Sequence, residues 1–178
     1  MKKTLIIQTS PHHTASTLLV NALYGLIPSL KDKRIVGFWE YNWEAEFDSD
    51  VIVLKSHNLD INWFIKHYSL FYNLFFICSE RKEKNYYINP LHKHYKNVLF
   101  FDYIELNETK SNNLEQIIKN IILKVNKWIP NIQLNFNNGM SRIINMNEKY
   151  ELIKNKPFTY VDDFYHIHGS HKNRKNTQ

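Results

Sequence analysis

Apolar and polar positions alternate along this chain in two registers, and the switch between them outlines a fold. Short aliphatic or aromatic runs of strand length occur at about residues 3–8 (KTLIIQ), 34–39 (RIVGFW), 50–55 (DVIVLK), 73–78 (NLFFIC) and 97–102 (NVLFFD). They are short, almost continuous apolar runs, the form expected of strands buried on both faces of a parallel sheet. Helical spacing appears between them, at about 15–27, 60–71, 82–94 and 112–128, with a shorter helix at about 141–154. The 112–128 segment is the clearest. Leu114, Ile117, Ile118, Ile121, Ile122, Val125 and Trp128 share one face, Lys119, Asn120, Lys124 and Lys127 lie opposite, and Pro130 ends the helix. Gly25 and Pro28 mark the far end of the first helix, and "NIQLNFNNGMSR" reads as a loop. Strand and helix in alternation predict an α/β fold, a central and mostly parallel sheet between two layers of helices. The chain reads as one domain over 1–178, with a core over 1–130 and a C-terminal helix and tail over 131–178. The tail "HIHGSHKNRKNTQ" is polar and basic and carries no core signal.

The first strand is cut off by "TSPHHTAST", after which Leu18, Leu19, Ala22, Leu23 and Leu26 resume at helical intervals. Strand, polar loop and helix N-terminus together make an anion site, because free N–H groups and the helix dipole both favour negative charge. Ligands of open parallel sheets sit beyond the carboxyl ends of the strands. Those ends deliver the loop after strand 1, Glu40 after strand 2, Lys55, Ser56 and His57 after strand 3, and Ser79, Glu80 and Arg81 after strand 4.

Composition narrows the partner only slightly. The 178 residues are 43% hydrophobic and carry a net charge of +6 with histidines neutral, which suits anions generally. No stripe of interleaved basic and aromatic residues points to nucleic acid. A single cysteine, Cys78, lies in the most apolar run and reads as a buried small residue in a reducing, cytoplasmic setting. The N-terminus lacks the apolar length of a signal segment, and no stretch has membrane-spanning length. The tail histidines His166, His168 and His171 have no second cluster to complete a zinc site, so no metal is expected.

A nucleoside triphosphate fits poorly, since the loop has neither the glycines nor the lysine of G-x-x-x-x-G-K-[ST]. The loop resembles instead the 5′-phosphosulfate loop, T-x-P-[KR]-S-[GA]-[ST]-[ST], of sulfotransferases that use 3′-phosphoadenosine 5′-phosphosulfate (PAPS). Thr9 and Pro11 match, one residue is inserted, and His13, Thr14, Ala15, Ser16 and Thr17 follow in the family's order, with His12 beside them. "VIVLKSH" is similar to the family's strand followed by K-[ST]-H, and "FFICSERKEKN" to its strand followed by the arginine of the 3′-phosphate. "HIHGSHKNR" is similar to its late basic-glycine loop.

The resemblance implies a P-loop NTPase-like three-layer sandwich with PAPS as sulfuryl donor and no metal. The acceptor would be a carbohydrate or small hydroxylated or amine metabolite. It implies that Lys55 contacts the transferring group, His57 is the base and His13 a cationic donor. Ser79 and Arg81 would meet the 3′-phosphate, while Gly169, Ser170, Lys172 and Arg174 close over the nucleotide. In a carbohydrate-modifying branch a glutamate after the second strand is the base, so the choice between His57 and Glu40 stays open. Two other readings stand beside it: a non-catalytic nucleotide- or phosphate-binding module on the same scaffold, and an atypical P-loop kinase. The oligomeric state, homo-oligomer included, is open too. His12 and His13 also suit a plain polar turn, His57 a cap after its strand, and Arg81 the solvated start of a helix.

Overall fold

The computed structural model describes residues 2–30, 35–37, 50–87, 95–107, 113–155, 160–162, 165 and 167–168. Its centre is a sheet of five parallel strands: β1 (Lys3–Thr9), β2 (Val36–Gly37), β3 (Val51–Ser56), β4 (Tyr72–Glu80) and β5 (Val98–Asp102), in the order β2-β3-β1-β4-β5. β1 lies at the centre, with Ile6 paired to Val53 on one side and to Phe75 on the other. Among the described residues five helices accompany it: α1 (Ser16–Leu26), α2 (Ile61–Tyr68), α3 (Tyr103–Leu106), α4 (Leu114–Trp128) and α5 (Phe136–Ile153).

Strand parity sorts the side chains into two cores. Ile6, Val53 and Ile77 face α1, α4 and α5, packing with Leu19, Leu23, Ile118, Ile121 and Ile143. Leu5, Ile7, Ile52, Leu54, Phe76 and Cys78 face the other way, onto Ile61 and Phe64 of α2. The sheet is therefore covered on both faces, as its unbroken apolar runs require. Full burial of each such side chain is worth about 1.5–3 kcal/mol, so a one-residue slip of β1 would forfeit several at once. Cys78 is buried in the α2-side core, and burial raises its thiol pKa. No helix among the described residues is long and apolar enough to cross a membrane.

Three expectations from the sequence need correction. A helix over 82–94 is absent from its described part. Lys82–Lys84 make a single 3₁₀ turn, Asn85 ends it in the left-handed region at φ 54°, and Arg81 pairs with Tyr86 as an antiparallel bridge. The remainder, 88–94, lies outside the described residues. The expected loop at 131–142 instead contains the start of α5, where the Asn135 side chain caps Asn138 N–H. α1 ends at Leu26, between Gly25 and Pro28 as expected. Gly25 lies in its last turn, where α1 crosses α5, and a Cβ there would meet Asn138 O at 2.8 Å and Gly139 Cα at 2.9 Å. Close helix crossing outweighs the roughly 1 kcal/mol that glycine costs a helix.

The tail, finally, does enter the core. β6 (Tyr160–Asp162) and β7 (Ile167–His168) form an antiparallel pair, and Ile167 is buried with the α1-side residues.

Candidate functional site

The β1–α1 loop is held in a conformation few side chains adopt freely. His13 and Ala15 both have φ 63°, in the left-handed region, with Thr14 between them. That geometry costs about 1–2 kcal/mol per non-glycine residue, so something in the surroundings must hold it. Left-handed residues among right-handed ones gather successive N–H groups into a concave anion-binding nest. α1 begins directly afterwards with no side-chain cap at Ala15 and no acidic residue in its first turn. Its first N–H groups and its positive dipole end are therefore left to an anion.

Beneath the loop lies a buried polar layer: Gln8, Ser10, Thr14, Ser16, Lys55 and Ser79, none more than 6% exposed. Thr14 Oγ1 lies 2.9 Å from both the Pro11 carbonyl and Ser79 Oγ, and this tie to β4 supports the strained turn. On the other side of the loop, the Thr9 hydroxyl donates to the Asn58 carbonyl.

Lys55 is the unusual member. Strand parity turns it toward α1, where Nζ reaches Ser16 Oγ at 3.3 Å; no carboxylate pairs with it among the described residues. Burial alone lowers its ammonium from 10.5 to about 7. An ammonium taken out of water without a counter-charge, at a helix N-terminus, is an electrostatic request for an anion.

Two residues on, His57 Nδ1 lies 2.9 Å from the Ser10 carbonyl oxygen, and its ring stacks on His12 with centroids 3.9 Å apart. A carbonyl only accepts, so Nδ1 carries the proton. Burial and the nearby Lys55 charge lower the His57 pKa to about 4, so at neutral pH the ring is neutral and Nε2 holds the lone pair. That is the form a general base needs.

Arg81 leaves β4 alongside the loop. Its guanidinium lies over the Tyr103 ring at 4.0 Å, pairs with Glu83 at 3.1 Å and approaches the His13 carbonyl at 3.5 Å. The fold thus brings His12, His13, Thr14, Ala15, Ser16, Thr17, Lys55, His57 and Arg81 to one end of the sheet. Ser79 is nearby as well, fully buried and bonded to Ser10 and Thr14 under the loop. Thr14 likewise commits its hydroxyl to the scaffold. Glu40, Gly169, Ser170, Lys172 and Arg174 lie outside the described residues. The segment before the tail is nonetheless anchored at the first turns of α1, where Asn21 Nδ2 donates to the Thr17 and Tyr165 carbonyls.

Sequence reasoning missed Ser10, Gln8 and Tyr103. One signal was available: Gln8 is a polar residue at the carboxyl end of a strand read as buried on both faces. Nothing local marked Ser10 or Tyr103, whose partners lie on other strands. Among the described residues no group of three or more His, Cys, Asp or Glu side chains could hold a metal ion. Comparison of the chain with protein-family models, with curated proteins and with solved structures found no match.

Proposed function

We propose that the chain is a PAPS-dependent sulfotransferase acting on a hydroxyl or amine of a carbohydrate or small metabolite. The observation that carries this reading is Lys55: buried, without a carboxylate partner among the described residues, bonded to Ser16 at the start of α1, and two residues from a neutral His57. The sheet order β2-β3-β1-β4-β5 is neither the classic dinucleotide-binding order nor the flavodoxin order, and a P-loop NTPase-like identity belongs to the same proposal.

PAPS would supply an activated sulfuryl group; the rest is done by the chain. Loop N–H groups and the N-terminus of α1 bind the 5′ end. Lys55 and Ser16 place positive charge and a donor where charge gathers on the leaving oxygen, a kind of contact worth about 10²–10³ in rate. His57 Nε2 takes the acceptor's proton, worth about 10²–10⁴. Arg81, held by Tyr103 and Glu83, meets the 3′-phosphate.

The depressed His57 pKa favours one second reading, a module that binds the nucleotide without turnover, because a base whose conjugate acid titrates near 4 is weak. A bound anion would raise that value by offsetting the Lys55 charge.

Thermal-shift titration with 3′-phosphoadenosine 5′-phosphate (PAP), against ATP with Mg²⁺, tests the proposal. Saturation at about 100 times Kd adds about 2.7 kcal/mol, or about 5–10 °C for a chain of this size. A shift with PAP alone supports the donor site, and no shift with PAP sinks it. A shift with ATP alone points to a kinase. His57→Ala that still binds PAP but no longer transfers separates the enzyme from the module.

A further inference from the structure

His57 is held by a residue that no pattern of charge or histidine spacing marks. Ser10 follows β1 directly and is fully buried. It precedes Pro11, which already restricts its backbone to extended conformations. Its carbonyl receives His57 Nδ1–H at 2.9 Å. Its hydroxyl oxygen lies 2.7 Å from Gln8 Nε2, 2.9 Å from Ser79 N and 3.0 Å from Ser79 Oγ.

The Gln8 amide and the Ser79 N–H both donate to the Ser10 hydroxyl oxygen, and the Ser79 hydroxyl reaches it as well. Ser79 Oγ also lies 2.9 Å from Thr14 Oγ1, and Thr14 donates to the Pro11 carbonyl. The chain runs from Gln8 on β1 through Ser10 and β4 into the strained loop.

We propose that Ser10 is the positioning residue of the base: its hydroxyl, locked to β1 and β4, holds its carbonyl in place so that the His57 proton stays on Nδ1 and Nε2 remains the basic nitrogen. The same chain joins the base to the anion loop, so both are set by one hydrogen-bonded unit. The inference rests on reading His57 as the base.

Ring-¹⁵N spectra of the full-length chain labelled at histidine, with His57→Gln for assignment, test this at pH 7.5. Wild type is expected to show the Nδ1–H tautomer alone at His57. Ser10→Ala strands the Gln8 and Ser79 N–H groups, and an Nε2–H population should appear. Ser10→Thr, which keeps the hydroxyl, should restore the wild-type spectrum. Where Ser10→Ala does not fold, Ser79→Ala interrupts the same chain more gently and should also release Nε2–H tautomer. A pure Nδ1–H ring in Ser10→Ala, or in Ser79→Ala if only that variant folds, overturns the proposal. Absence of PAP binding in wild type overturns the donor reading instead, and the tautomer result still judges Ser10.

Discussion

Replacing Lys55 by methionine should stabilise this protein while removing its capacity to hold an anion. The side chain is fully buried, and its ammonium titrates near 7 against an ordinary 10.5. At about 1.4 kcal/mol for each tenfold change, the charged form carries a folding penalty of about 5 kcal/mol as an upper bound. The sign follows from proton binding. Below pH 7 the lysine is charged in both folded and unfolded chains, and the whole penalty is present. Between about pH 7 and 10.5 the unfolded chain keeps the proton that the folded one has released, so wild-type stability rises with pH across that window.

Methionine keeps the length and flexibility of the stem, loses the bond to Ser16 worth about 1 kcal/mol, and leaves no charge to desolvate. The variant should therefore exceed wild type by about 2–4 kcal/mol at pH 6, within the range seen when buried charges are replaced by apolar groups. That gain should shrink as the pH approaches 10. Urea unfolding of both chains at pH 6, 7, 8 and 9 measures it, with equal m-values as the check on two-state behaviour. A Lys55→Met chain no more stable than wild type at pH 6, or a gain that does not change with pH, would refute the argument that Lys55 is an uncompensated buried cation. Gain of stability with loss of PAP binding is the expected exchange at a functional site.

Two further outcomes follow from the geometry. Arg81→Ala should weaken PAP binding about 10- to 100-fold, the loss of one charge-assisted contact, while leaving adenosine 5′-phosphate affinity unchanged; calorimetric titration of both nucleotides checks it, and equal losses would remove Arg81 from the 3′-phosphate. Gly25→Ala should destabilise the chain by about 1–3 kcal/mol, because its new methyl meets α5 backbone that cannot rotate away, and a lower thermal midpoint with unchanged PAP affinity would register it.

What the sequence determined by itself is what local periodicity encodes. The aliphatic runs of β1, β3, β4 and β5, the apolar face of α4 and the strand–loop–helix junction at 9–17 were legible because each depends on neighbours a few residues away. The placement of Lys55, His57 and Arg81 at one end of a parallel sheet followed from the same reading, since all parallel strands deliver their loops to one side.

What it could not determine depends on which strand lies beside which. Only the order β3-β1-β4 puts Ser79 against Ser10, and only that contact makes Ser79 part of the scaffold and ties β4 to Ser10, whose carbonyl accepts the His57 Nδ1–H. The helix expected over 82–94 gave way, in its described part, to the Arg81–Tyr86 bridge. The expected loop at 131–142 yielded to α5 because Gly25 and Gly139 let two helices meet, and Ile167 in a polar tail found the same core. At α5 and at Ile167 a contact distant in sequence outweighed a local preference worth about 1 kcal/mol or less. The burial of Lys55 is the combined result: parity chose its face, and the tertiary structure withheld both water and a carboxylate among the described residues, leaving a cation that calls for an anion.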